Sequence, residues 1–381
     1  MRIALLSDGI PPYIVGGMQK HSFLHAEYLA MAGVEVELFH YIEGSYRPED
    51  SEVLEHFRPN ARGRIRLHTF NYKDSGRLPG HYLRAQKKIS EEYFDALKPL
   101  ENLDFILIKG FVGWATLKGK AKLSSHCKTG IKFHGMNMFQ IQPNFSGELS
   151  KHLLRPKVKW AMGNSDFVFS YGGRITDIIE RAGVKRNRII EITSGISEDW
   201  INNHSPSLND ERVILFVGRY DRVKGLPELY DAARSLGAHQ LKLRIVGPIP
   251  EEQRINESYI SYTGSIEDPQ DLMREYDKAD ALICPSISEG MPNVILEGMA
   301  RGLYIIASDV GATSMMIDGN GSLIQLGNAN ELKNALETFL TMDSEVAIAA
   351  KNRSLELIKT FTWEKIVERF IRFFQSNLSE H

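Results

Sequence analysis

Residues 281–302 constrain this chain more than any other stretch: Ala-Leu-Ile-Cys-Pro-Ser-Ile-Ser-Glu-Gly-Met-Pro-Asn-Val-Ile-Leu-Glu-Gly-Met-Ala-Arg-Gly. The apolar run Ala281 to Cys284 predicts a buried parallel strand, which Pro285, Ser286 and Gly290 end. Pro292 suits a first helical position, where a missing N–H costs nothing. The unit therefore reads as strand, loop and helix start. Backbone donors at Gly290, Met291, Asn293 and Val294, around Pro292, would face outward at the positive end of that helix, which is a site for an anion. Glu289 lies just before the helix, and Glu297 lies roughly 7 Å further along its axis. Two carboxylates flanking an anion site suit a ligand with a phosphate in the middle and hydroxyls at both ends, because an ionised carboxylate accepts two hydroxyl bonds at once.

A nucleotide-sugar has that form, with the diphosphate at the helix start, sugar hydroxyls near Glu289 and the ribose diol near Glu297. The segment Pro-Ser-x-x-Glu-Gly-Met-Pro-Asn-x-x-x-Glu-Gly-Met-Ala resembles the E-x7-E signature of retaining GT-B glycosyltransferases, in particular glycosyltransferase family 4. The resemblance extends over nearly the whole chain. It implies an α/β fold of two Rossmann-like domains facing a deep cleft, with a carboxyl-terminal helix that returns to the amino-terminal domain. The domains are expected at 1–203 for the acceptor and 204–361 for the nucleotide-sugar, with 362–381 as the returning helix. Asn202 to Asp210 is polar and lacks apolar periodicity, as a linker would.

In chain order, short apolar strands alternate with amphipathic helices, the pattern of parallel α/β layers. After the first strand, at 2–7, a loop ends in Gly16 and Gly17 before a helix over 18–32. A double glycine there allows backbone to approach an anion, and family resemblance places it opposite the donor phosphates. Further strands are expected at 34–41, 65–70, 104–109, 129–134, 166–170 and 188–192, with loops at 44–64 and 71–80. His134 ends a strand, hence the ligand edge of an α/β sheet, and resemblance sets it beside the sugar. Ser194 and Ser197 depart from the Asn and Asp that the family often has there.

The second half opens with a strand at 212–217 and the loop Gly-Arg-x5-Lys-Gly, which carries Arg219 and Lys224. An arginine fork and a lysine point charge can neutralise a diphosphate as it leaves. Strands at 242–247 and 259–263 lead to Gly264, Ser265 and Ile266, whose backbone the resemblance sets against the nucleotide base. Helical periodicity covers 329–341, 343–359 and 362–376.

Composition bounds the rest. A chain of 381 residues that is 43% hydrophobic and 25% charged is ordinary for a soluble globular protein. The amino terminus is too short and polar for a signal peptide, so a cytoplasmic protein is expected, and no apolar run reaches a membrane span. Cys127 and Cys284 fall in different expected domains, as free buried thiols. No Cys/His cluster has metal-ligand spacing. Residues 1–203 hold 28 Lys and Arg against 22 Asp and Glu, whereas 204–381 hold 18 against 26. The basic segment 151–159 fits either an ordinary solvated helix face or contact with an anionic membrane at the inner face of the plasma membrane. Nucleic acid is excluded as a partner, since no aromatic-plus-basic platform accompanies the charge.

The resemblance implies transfer of a sugar from a nucleoside-diphosphate sugar to a sugar or lipid-linked acceptor hydroxyl with retention, and with no metal or other cofactor. Bacterial polysaccharide, lipopolysaccharide or glycoconjugate synthesis is the usual setting. A related sugar phosphorylase or epimerase, or a non-catalytic nucleotide-sugar-binding subunit, are the alternatives. A nicotinamide-binding pair of domains is disfavoured, because Gly-x-Gly-x-x-Gly is absent after the first strand.

Overall fold

The computed structural model describes residues 1–378 apart from 45, 73–79, 124–126, 142–144, 238–240 and 327–328. The first sheet contains β1 (Arg2–Leu6), β2 (Glu35–Ile42), β3 (Ile65–Asn71), β4 (Phe105–Lys109), β5 (Lys128–Lys132), β6 (Phe167–Ser170) and β7 (Ile189–Glu191). The second contains β8 (Val213–Val217), β9 (Lys242–Val246), β10 (Ile260–Gly264), β11 (Ala281–Cys284), β12 (Tyr304–Ser308) and β13 (Gly321–Ile324). Their orders are β3-β2-β1-β4-β5-β6-β7 and β10-β9-β8-β11-β12-β13, and every pairing is parallel.

Around the first sheet pack α1 (Gly17–Met31), α2 (Asp50–Glu55), α3 (Pro59–Arg62), α4 (His81–Leu97), α5 (Trp114–Lys118), α6 (Phe145–Asn164) and α7 (Arg174–Arg181). Around the second pack α8 (Leu226–Leu236), α9 (Pro269–Asp277), α10 (Asn293–Ala300), α11 (Ala329–Thr341) and α12 (Ser344–Ile358), and α13 (Trp363–Leu378) follows. This is the two-domain Rossmann-like α/β architecture expected. The 44–64 stretch is not all loop: α2 and α3 lie in it, and Val53, Phe57 and Ala61 are buried against the first domain. Most of the expected loop at 71–80 falls outside the described residues.

Both sheets reverse their winding direction beside the first strand of the domain, between β1 and β4 and between β8 and β11. Loops leaving the carboxyl ends of such strands diverge and open a crevice. The Gly16-Gly17 loop follows β1, the Arg219–Lys224 loop follows β8, and the Glu289 loop follows β11, so topology alone brings these stretches to crevices.

The last helix crosses back. Trp363, Ile366, Val367, Phe370 and Phe374 of α13 are buried in one apolar cluster with Ile3, Leu5 and Leu107 of the first sheet. The two crossings run side by side: Ile196 N–H donates to the Phe361 carbonyl at 2.8 Å, and Trp363 N–H to that of Ile196 at 3.0 Å. Among the described residues no helix is long and apolar enough to cross a membrane. Both cysteines are free and buried.

Candidate active site

The loop Pro285–Pro292 is held by close backbone packing. Gly225, at φ 72°, sits in the left-handed region, and a Cβ there would strike the Pro285 carbonyl. Ile287 N–H donates to the Val223 carbonyl at 2.7 Å. The Arg219–Lys224 loop is thereby pressed onto the Glu289 loop, and Lys224 Nζ donates to Glu289 Oε1 at 2.7 Å. Burial alone would lower the Lys224 pKa, but Glu289 outweighs it and holds the ammonium above the ordinary lysine value. Arg219 behaves differently. Its side chain is exposed and its guanidinium bonds Asp221 at 3.1 Å.

Helix α10 begins at Asn293, and Pro292 is the residue that caps it rather than the first helical one. The reason is its extended ψ of 118°, which leaves the amides of Asn293 and Val294 in the first turn, where no preceding carbonyl can reach them. Across the cleft, α1 begins at Gly17, whose missing Cβ would lie 3.7 Å from Asn293 Nδ2. Two helix amino termini thus meet at one place, and their dipoles favour an anion there. Glu297, nearly buried on α10, accepts from the Tyr276 hydroxyl at 2.8 Å and has Lys20 Nζ of α1 at 3.6 Å from its other oxygen. Lys20 also lies 5.3 Å from the Trp200 ring centre. A cavity of about 110 Å³ lies between, lined by Lys20, His21, Ser194, Trp200, Asn293 and Glu297.

The domains touch beside Glu289 as well. A Cβ on Gly290 would overlap the His134 carbonyl. Gln140 Nε2 donates to the Glu289 carbonyl at 2.7 Å, and Ser288 Oγ to Asn137 Oδ1 at 3.0 Å. His134 Nδ1 is 2.6 Å from the Tyr171 hydroxyl, while its Nε2 has no partner. Gly264 ends β10, the edge strand, and Ser265 and Ile266 follow it, with β9 and β8 between it and β11. No group of three metal-ligating side chains occurs among the described residues.

Behind His134 lies a buried basic cluster that sequence reading did not assemble. Lys109 Nζ is 3.2 Å from His25 Nδ1 and 3.5 Å from His21 Nδ1, and the His21 and His134 rings meet edge to face at 4.6 Å. Lys132 donates to the Ile192 carbonyl at 2.8 Å and lies 3.8 Å from the Tyr171 ring centre. Burial, with Lys109 adding to it, pushes His21, His25 and His134 well below the ordinary histidine value. Burial also takes Lys109 down to about 7 and Asp8 up to about 6. The available signal was a lysine at the end of each of two apolar strands, Lys109 and Lys132.

These shifts set an acid limit on stability. Below pH 6.5 the unfolded histidines bind protons that the folded ones refuse, so stability falls as pH falls. Asp8 opposes this, since its raised folded value means that the folded state binds the extra proton between about 3.8 and 6. His40, taken down to about 4 by burial, joins these three, so the histidines outweigh Asp8 and stability declines from pH 6 to 5. Urea unfolding at half-unit steps is expected to show that decline; a flat profile would contradict the neutral histidines.

Two sequence profiles match the chain, one described as Glycosyltransferase Family 4 over residues 15–200 and one as Glycosyl transferases group 1 over 211–342. The chain belongs to the group 1, family 4 glycosyltransferases. An uncharacterized glycosyltransferase of Methanocaldococcus jannaschii is 27% identical over 368 residues, 93% of each chain. Among solved structures, sucrose-phosphate synthase from Thermosynechococcus elongatus superposes with a TM-score of 0.80 at 21% identity over 100% of both chains. Anabaena HepE in complex with UDP gives 0.68 at 16% identity over 99% of this chain and 100% of that one. These likenesses show the GT-B fold. In this family 4 glycosyltransferase, Gly16, Gly17, Lys224, Glu289, Gly290 to Val294, Glu297 and His134 gather at one cleft, whereas the Arg219 guanidinium turns to solvent.

Proposed function

We propose that this glycosyltransferase transfers a sugar from a nucleoside-diphosphate sugar to an acceptor hydroxyl with retention at the anomeric carbon. The observation that carries the reading is the pair Glu289 and Glu297 on either side of the two facing helix starts. Glu297 would take the ribose diol, with its second oxygen already set by Tyr276. The first turns of α1 and α10 and Lys224 would hold the diphosphate, and Arg219 would swing in from solvent to join them. Backbone at Gly264, Ser265 and Ile266 would meet the base, Glu289 would position the sugar, and His134, kept neutral by burial and its lysine neighbours, would face the anomeric centre.

With Glu289 and Glu297 assigned to the sugar and the ribose, no carboxylate nucleophile is evident among the described residues, so retention is assigned to front-face attack. The bond from C1 to the diphosphate oxygen breaks, the acceptor oxygen bonds C1 from the same side, and its proton passes to the departing phosphate. Lys224 and the helix dipoles neutralise that phosphate, so no metal is needed. The first domain would bind the acceptor and the second the donor, in the cytoplasm, with a sugar or lipid-linked acceptor. Exposed Leu153 and Lys159 on α6 would support contact with an anionic membrane in the lipid-linked case. The HepE complex makes UDP the first nucleotide to try.

Thermal unfolding with a panel of nucleotides and nucleotide-sugars, without metal, tests this. A donor present at 100 times its Kd adds about 2.7 kcal/mol. The expected result is a rise with one nucleoside diphosphate and a larger one with a sugar of it. Stabilisation by NAD alone would overturn the reading.

A further inference from the structure

Three buried imidazoles behind the cleft share one polarity. Lys109 Nζ faces Nδ1 of both His21 and His25, the Tyr171 hydroxyl faces Nδ1 of His134, and the Nε2 atom of all three is buried without a hydrogen-bond partner. The His134 contact is the shortest of the three, at 2.6 Å. Burial, with Lys109 and Lys132 adding to it, keeps that ring neutral, so it carries one proton. Which nitrogen holds the proton decides whether His134 gives or takes a hydrogen bond.

Tyr171 sets the answer. It is buried, and its hydroxyl has no other hydrogen-bond partner among the described residues. A proton on Nδ1 would occupy the phenol oxygen and leave two groups unmatched, the O–H donor of Tyr171 and the bare Nε2 of His134. With the phenol donating to Nδ1, the one donor left over is the Nε2–H. Buried donors are seldom left unpaired in a folded protein, so that N–H is the group that awaits an oxygen from outside the chain.

The tyrosine is itself firmly held. Lys132 Nζ stands 3.8 Å from the centre of its ring and is anchored by the Ile192 carbonyl at 2.8 Å. A cation over the ring face draws electron density from the phenol, which makes the hydroxyl a better donor and a poorer acceptor. Beyond Tyr171 the backbone turns through Gly172 and Gly173, at φ 90° and 54°. A Cβ on Gly173 would come within 3.3 Å of the Gly311 carbonyl, and one on Gly311 would strike the carbonyls of Glu289 and Gly290. The loop that carries Tyr171 thus rests on the second-domain segment that backs the Glu289 loop.

We infer that Tyr171 is a positioning residue: it holds the His134 proton on Nε2, so that His134 meets an oxygen of the nucleotide-sugar as a hydrogen-bond donor and not as a base. No base is called for there, because the departing phosphate takes the acceptor's proton. The identity of that oxygen rests on the glycosyl-transfer reading, whereas the place of the proton rests on the geometry alone.

Nitrogen NMR of the full chain carrying isotopically labelled histidine tests it, with His134 assigned by the signals missing from His134→Gln. The expected spectrum has a protonated Nε2 and an unprotonated Nδ1, and in Tyr171→Phe both signals move toward the average of the two tautomers. A proton on Nδ1, or a Tyr171→Phe spectrum like the parent's, overturns the assignment. Rates give the second readout. Tyr171→Phe keeps the ring and removes one oxygen, and turnover should fall about 10-fold with nucleotide affinity unchanged. In a His134→Gln background, which keeps an N–H donor, the same change should cost nothing further, since its effect passes through the imidazole. Losses that multiply in the double variant mark a merely structural hydroxyl and overturn the role. The spectra need no substrate, so the proton is located even where no nucleotide-sugar stabilises the fold or turns over, a result that strikes the transfer reading instead.

Discussion

Glu289→Ala is expected to reduce turnover by about 10²- to 10³-fold, the scale of removing one preorganised polar contact from a transition state, while nucleoside-diphosphate binding changes by no more than a few-fold. The separation follows from the geometry. The Glu289 carboxylate bonds Lys224, and its carbonyl, which Gln140 holds, survives the substitution. Glu297, Tyr276 and both helix starts remain for the nucleotide. Lys224 loses the neighbour that keeps its ammonium favoured, so its pKa should drop toward the value that burial alone dictates. Steady-state rates beside nucleotide titration decide the matter. Turnover near the parent level would remove Glu289 from the sugar site, and a parallel loss of nucleotide binding would place it on the diphosphate.

The scaffold was legible wherever burial is symmetrical. Ala281–Cys284 is covered on both faces, so it reads as an unbroken apolar run whose ends coincide with the structure, and the other expected strands end within a residue or two of those observed. Helix ends were read within a residue or two where glycine or a capping side chain marks them, as at Gly17 and at Asp343. The helices α2 and α3 escaped because six and four residues are too few for a 3.6-residue period to show. Pro59, in the first turn of α3, was the one local sign of it.

The site was legible in its local half only. Glu289, Glu297 and the Gly16-Gly17 pair belong to short contiguous patterns, and topology places those patterns at crevices. Partners from afar carry no such pattern. Tyr276 reaches Glu297 from α9, Lys20 reaches it from the other domain, and Lys109 meets two histidines of α1, each contact depending on how whole elements pack. Gly290 joins the two cases: its place beside Glu289 was plain, but the reason for a glycine there is the His134 carbonyl across the cleft.

That reason makes Gly290→Ala the sharpest test of closure. The atoms nearest its added methyl are all first-domain backbone, the His134 carbonyl and Gly135 Cα. Both domains should therefore keep their cores and their separate folds. What the methyl opposes is the approach that joins Gln140 to the Glu289 carbonyl, Ser288 to Asn137 and Lys20 to Glu297. Misplacement of reacting groups by about 1 Å costs about 10²-fold in rate, so turnover should fall by at least that much. Small-angle scattering should record a larger radius of gyration, with nucleotide binding by the second domain retained. Gly163→Ala on α6 is the control, since a methyl there meets nothing within 4 Å and φ is ordinary; its rate should match the parent, with a gain of about 0.5–1 kcal/mol from the stiffer helix. An unchanged rate in Gly290→Ala would mean that the groups react without the His134 contact, and the sugar would then have to be positioned by the second domain alone.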